Sequence, residues 1–100
     1  MDAWDLVTLD EERARQGGLW HEFLRVPDLS AGIYVLETGE ADPQSPHTED
    51  ELYYVVAGRA AVTVGGHTRE VRAGSLVFVA ATVAHRFHDV TERLEVLVVF

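Results

Sequence analysis

The feature that most constrains this chain is the rhythm of its interruptions. Beyond Leu19, apolar and polar residues alternate with a period of two, and Pro27-Asp28, Gly58-Arg59, Gly65-Gly66 and Ala73-Gly74 cut the runs short. A period of two marks strands, whose side chains point alternately to opposite faces. Gly-Gly between two such runs tolerates the positive φ of a tight hairpin, and Pro-Asp favours a turn. The pattern predicts about eight short strands. They cover Leu19–Val26, Ile33–Glu37, Leu52–Ala57, Ala60–Val64, His67–Val71, Ser75–Val79, His85–Asp89 and Leu94–Phe100. Pro43 and Pro46 deny the Gly39–Pro46 stretch a long regular element. With no crossover helices, the expected class is all-β, an antiparallel sandwich or small barrel.

One short helix is expected ahead of the strands. Thr8-Leu9-Asp10-Glu11 reads as a capping box, with Glu11–Gln16 helical and Gly17-Gly18 as the stop. The whole chain of 100 residues, 47% hydrophobic and 25% charged, is the length of one compact domain over residues 1–100.

Charge narrows the partners. Eight basic residues, all of them arginine, face seventeen acidic ones, for a net charge of -9. Phosphate backbones and anionic lipid repel such a surface, so neither nucleic acid nor membrane is an expected partner. No apolar run is long enough to span a bilayer. Met1-Asp2-Ala3-Trp4-Asp5 is acidic where a secretory signal is basic, which leads to an expected cytoplasmic location. There is no cysteine, so any metal site must be built from His, Asp and Glu.

Of the five histidines, His47 and His85 stand out. Glu51 lies four residues after His47, a helical spacing, but Pro46 precedes the pair and the β-rich Leu52-Tyr53-Tyr54-Val55-Val56 follows it. In a straight strand the two would be about 13 Å apart, at roughly 3.3 Å per residue. Ligand bonds of about 2.0–2.2 Å cannot bridge that distance. A turn at Thr48-Glu49-Asp50 is required to bring them to one ion. In the last strands, alternation places His85, Phe87 and Asp89 on one face and Arg86 and His88 on the other. Tyr53 shares the parity of Glu51, and Tyr34 is a further pocket candidate. Gln44 is pointed away from Ser45 and His47 by parity. His21, beside Trp20, reads as structural, and His67 and His88 as exposed.

Gly39, five residues, Ser45-Pro46-His47, three residues, Glu51, six residues and Gly58 resemble the first motif of the cupin superfamily. There the pattern is Gly, five residues, His-x-His, three or four residues, Glu, six residues and Gly. Gly74 and Ala80-Ala81-Thr82-Val83-Ala84-His85 resemble the second motif. The likeness covers Ile33 to the C-terminus. It implies a cupin-type β-barrel or jelly-roll sandwich over about residues 31–100, preceded by a short helical and strand extension over about 1–30. It also implies a metal site of His47, Glu51 and His85. Ser45 replaces the first motif histidine, so four ligands become three. Ala80, Thr82 and Ala84 stand where turn-forming Pro, Gly and Pro are usual.

Two histidines and one carboxylate suit a divalent transition metal, Fe, Mn, Ni or Zn. Ser45, Tyr34, Tyr53 and Phe87 are the candidate substrate-pocket residues. The implied function is a small metal-binding cupin that acts on a small polar molecule in the barrel cavity, by oxygenase, isomerase or lyase chemistry. The alternative is a cupin that holds a metal or small ligand without turnover. A homodimer is expected, with Trp4 and Trp20 buried where two barrels pair through their N-terminal strands.

Overall fold

A computed structural model describes residues 1–100. The helix, α1, spans Leu6–Gln16. It starts a turn earlier than the capping box predicts, because the Asp5 carbonyl accepts the first helical bond, from Leu9 N at 3.1 Å. Thr8 therefore lies inside the helix and caps nothing. Asp5 takes the cap position in extended backbone without a side-chain bond, so packing of the buried Leu9 sets this end. The expected stop is present. Gly17 is left-handed (φ 81°) and its N–H bonds to Arg13 O and Ala14 O.

Six strands follow: β1 Trp20–Val26, β2 Leu29–Leu36, β3 Glu51–Val64, β4 His67–Arg72, β5 Leu76–Val79 and β6 His85–Val99. Strands account for 54% of the chain and pair only in antiparallel fashion. Pro27-Asp28 and Gly65-Gly66 form the expected two-residue turns, closing Val26↔Leu29 and Val64↔His67.

The eight expected strands become six because two breaks are bulges rather than turns. Gly58 sits inside β3 at φ 96°, and a Cβ there would lie 2.1 Å from Arg93 O. Only glycine permits that approach. The ladder shifts register around it, so Leu52–Ala57 and Ala60–Val64 are one bent strand. Asp89 does the same in β6. Its φ of 51° slips the alternation by one: Phe87 and Val90 are buried while Asp89 is exposed. The predicted inward Asp89 is thus corrected; aspartate is one of the few side chains that tolerate the left-handed region.

β3 and β6 pair along most of their lengths, from Leu52↔Val99 to Val64↔His85. The strand order is β1-β2-β6-β3-β4, with β5 also on β3. The bent pair carries the front ends of β3 and β6 against β5 and β2, and the rear ends against β4. The result is an open jelly-roll arrangement. Its core packs Tyr53, Phe87, Leu36, Leu94, Val55 and Val96 into one cluster. α1 lies on the outside and is tied down by Arg93, which bonds Asp10 at 2.8 Å and Glu37 at 3.0 Å.

Candidate metal centre

Three elements converge on one side of the core. The loop between β2 and β3 ends at His47, a bend at Thr48-Glu49 reverses the chain, and Glu51 opens β3. The turn required for this pair is therefore present. His85 opens β6, on the far side of the Ala80–Ala84 loop. Backbone and side-chain bonds hold the two loops together: Thr82 N donates to His47 O at 2.6 Å and Ala81 N to Asp50 Oδ1 at 2.8 Å. Asp50 is thereby committed to the second loop.

The donor atoms of His47, Glu51 and His85 all lie within 4.8 Å of one another. His85 Nε2 is 3.0 Å and His47 Nε2 3.8 Å from Glu51 Oε2. Atoms sharing one ion at about 2.1 Å are themselves about 3–4 Å apart. The His85 and Glu51 side chains are about 1% exposed, that of His47 37%, so the cluster has a sealed side and an open one.

The protonation pattern defines what the cluster lacks. His85 Nδ1 is 2.8 Å from Val83 O and donates to it, since a carbonyl only accepts. The tautomer this favours leaves Nε2 as a bare lone pair facing the carboxylate. Neither Glu51 oxygen nor His85 Nε2 has a hydrogen-bond partner, although all three are buried. Electron-pair donors at 3.0 Å repel unless a proton or a metal ion lies between them. A second bond that orients a ligating histidine is also the usual companion of metal sites. Burial pushes the Glu51 carboxyl above its usual range, and the attraction of His47 and His85 does not overcome it. The residues fit a divalent cation.

Above the cluster opens a cavity of about 360 Å³, within the range of small-molecule sites. Trp20, Phe100 and Val98 form its apolar wall, and Tyr34, Gln44, Glu22, Arg25 and Glu49 its polar one. The Trp20 ring meets Phe100 edge-on at 6.0 Å and lies across Gly32, where any Cβ would come within 2.4 Å of it.

A family comparison decides what this arrangement is. The Cupin domain model matches residues 32–100. The chain belongs to the cupin family. Among curated proteins, an uncharacterized protein of Streptomyces coelicolor is 51% identical over 100 residues, covering 100% of this cupin and 95% of its relative. Among solved structures, a Thermus thermophilus protein has a TM-score of 0.76 at 23% identity, over 99% of this chain and 95% of that one. A DMSP lyase structure has a TM-score of 0.74 at 23% identity, over 80% of this chain and 45% of that one. These likenesses establish the shared fold.

This cupin places its predicted site residues unequally. His47, Glu51 and His85 come together as described, and Tyr34 lines the cavity. Tyr53 and Phe87 lie beneath it in the core, rings 5.0 Å apart. Ser45 is exposed and outside the cavity lining, whereas Gln44 lines it. Parity misdirects Gln44 because Gly39–Pro46 is no strand. Asp42 arranges this loop instead. It accepts from Tyr34 Oη at 2.5 Å, Gln44 Nε2 at 2.9 Å and Phe87 N at 2.8 Å. Gln44 Oε1 in turn accepts from Tyr53 Oη at 3.1 Å. Burial first, then the neighbouring carboxylates, push both tyrosine hydroxyls up, so they remain donors. Trp20 stands in the cavity wall, and Trp4 packs on Phe23 at 5.0 Å. Sequence reasoning missed Glu22, Arg25 and Phe100. The strand parity of β1, which sets Trp20 beside Tyr34, points to Glu22 alone; Arg25 has the opposite parity and follows a bulge between Glu22 and Leu24, and Phe100 shares the parity of Val96 and Val98 just beyond the end of β6.

Proposed function

We propose that this cupin binds one divalent transition-metal ion, Fe, Mn, Ni or Zn, through His47, Glu51 and His85. We further propose that it presents the ion to a small polar molecule in the cavity. The observation that carries the reading is the set of buried, unpartnered atoms: both Glu51 oxygens and His85 Nε2. A bound ion supplies Lewis-acid polarisation of a carbonyl or activation of water. The chain's own residues do the rest. The bond from His85 Nδ1 to Val83 O directs Nε2 into the site. Glu51 offsets part of the ion's charge. Trp20, Phe100 and Val98 keep water from one side of the ligand, and Arg25 is the one permanent cation in the lining.

Oxygenase, isomerase and lyase chemistry all fit such a centre, and a redox-active metal is needed only for the first. Retention of a ligand without turnover is the second reading. It is favoured by the way Tyr34 and Gln44 spend their hydrogen bonds on Asp42 and Tyr53 rather than on the cavity. Both readings describe a cytoplasmic protein, as the acidic Met1–Asp5 segment suggests, and the net charge of -9 argues against nucleic-acid and anionic-membrane partners.

The test incubates metal-loaded and metal-free protein with small acids, phenols and sugars, and reads product by mass spectrometry and binding by thermal shift. Product formed only with metal supports the enzyme. Binding without product supports the second reading, and neither, with metal shown to be bound, contradicts both.

A further inference from the structure

The cavity wall has a consistent chemistry once the bonds already made within it are set aside. Tyr34 gives its proton to Asp42 at 2.5 Å, so its oxygen offers the cavity only lone pairs. Gln44 spends Oε1 on Tyr53 and one Nε2 proton on Asp42. Glu22 and Glu49 bring only acceptor oxygens, and Glu22 Oε1 is buried without a hydrogen bond. Arg25 Nε lies 2.8 Å from that oxygen, an ion pair without hydrogen-bond alignment. The Arg25 side chain is 69% exposed, so its charge is shared between Glu22 and solvent. The donors left to the cavity are one Gln44 N–H, the Trp20 indole and the outer guanidinium. The lining is therefore rich in acceptors, with three carboxylates (Glu22, Glu49 and Glu51) against one arginine.

We propose that the ligand of this cavity is a small zwitterion, a flat apolar body with an ammonium group at one end and a carboxylate at the other. The proposal rests on the reading of the cavity as the ligand site and adds the class of ligand. The ammonium end follows from Glu22. It lies opposite Gly32 of β2, the residue across which the Trp20 ring is laid, so a carboxylate and an indole ring meet at one corner. An ammonium group suits both, as a charged donor to the oxygen and as a cation against the ring. From that corner the apolar wall runs through Phe100 to His47, with ring centroids 6.0 Å and 5.2 Å apart. A flat body laid along it joins the ammonium corner to the metal cluster.

The carboxylate end follows from charge balance. A divalent ion beside Glu51 leaves the cluster one positive charge in excess, while Glu22 and Glu49 against Arg25 leave the rest of the lining one negative. A zwitterion with its carboxylate on the cluster offsets both charges. A dianion is repelled by Glu22 and Glu49, and a plain cation leaves the cluster unanswered. A neutral polyol satisfies the acceptors but gains nothing from the separation of charge.

Isothermal titration calorimetry of the full chain tests this with para-(aminomethyl)benzoate, para-(hydroxymethyl)benzoate and terephthalate, which share a ring and one carboxylate and differ only at the far end. In zinc-loaded wild type the amine should bind about tenfold tighter than the alcohol, and terephthalate weakest. Benzylamine, which lacks the carboxylate, should also bind more weakly than the aminomethyl acid. Chelated wild type should bind the three acids more weakly in the same order, because Glu22 and Glu49 need no ion. Glu22→Gln combined with Glu49→Gln should bring the amine down to the alcohol with zinc content unchanged. In zinc-loaded wild type, equal affinities, a preference for terephthalate or benzylamine, or no binding of any probe would overturn the proposal. So would a folded double variant that keeps the preference for the amine. A chain that takes up zinc yet fails these orders overturns this proposal alone. One that takes up none overturns the metal reading and the carboxylate end with it, while the order of amine and alcohol in the chelated chain still decides the ammonium end.

Discussion

His85 and His88 lie three residues apart on β6, one at the cavity and one on the outer surface, and their surroundings differ in a way that bears on function. His88 is fully partnered: Nε2 lies 2.8 Å from Thr63 Oγ1 and Nδ1 2.8 Å from Asp89 Oδ2, and Thr63 continues to Thr68 at 2.7 Å. A polar chain thus runs from Thr68 on β4 through Thr63 on β3 to His88 and Asp89 on β6. His85 has one bond, to Val83 O, and its other nitrogen faces two carboxylate oxygens that also lack partners. Each unpaired buried group costs about 1–3 kcal/mol, more when charged. The outer cluster is complete as folded. The inner one is complete only with a proton or a metal ion between Glu51 and His85.

The strongest way to sharpen that contrast is to add metal. An ion at about 100 times its Kd stabilises the fold by about 2.7 kcal/mol. At about 4–8 °C per kcal/mol for a domain of this size, that raises Tm by about 10–20 °C. Calorimetry of chelated and reloaded protein should show this rise, and His85→Ala should abolish it. A reloaded wild type that melts like the chelated protein would erase the contrast.

Glu51 gives the next effect, through pH. Its folded carboxyl titrates above the usual range, so the metal-free fold prefers it protonated. That stabilisation is full below the ordinary carboxylate pKa and is lost as pH rises through the raised one. Glu51→Gln imitates the protonated acid. Metal-free Glu51→Gln should exceed metal-free wild type by about 1–2 kcal/mol near neutral pH, and by nothing in acid, in urea titrations. With metal the order reverses, because the ion needs the carboxylate.

Thr82 is smaller still. A β-branched residue at φ 67° stores about 1–3 kcal/mol of strain, and glycine there adds unfolded-state entropy of about 0.5–1 kcal/mol. Thr82→Gly should stabilise the protein by about 1 kcal/mol in the same titrations while His47 and His85 keep their metal. A loss of stability would show that the surrounding loop contacts have no strain to release. The smallest effect belongs to His88→Ala, which should cost about 1 kcal/mol or less and leave the metal-dependent Tm rise intact.

What could be read before the fold follows the same division. The His47–Glu51–His85 set was legible because motif spacing survives the loops between the residues, and because a straight strand could not have joined His47 to Glu51. The number of strands was not. Gly58 looks like a turn and Asp89 like the inward-facing end of a strand in the sequence, and only the register of β3 against β6 and the left-handed Asp89 backbone show them to be bulges. Parity located Tyr53 and His85 correctly, since both lie on regular strands. It failed for Gln44, whose loop is shaped by bonds to Asp42, a residue with no local signal. Trp20 looked like an interface residue because nothing near it in sequence shows that Gly32 and Phe100 will receive its ring.

The most direct test of the central claim is metal stoichiometry. Tag-free wild type and His85→Ala would be loaded in turn with Fe, Mn, Ni and Zn, desalted, and assayed by inductively coupled plasma mass spectrometry. About one equivalent per chain in wild type, as expected for a single three-ligand centre, and none in His85→Ala is the result this structure predicts. No metal in either protein after every loading would contradict it, and would leave Glu51 and His85 as a polar pocket without an ion.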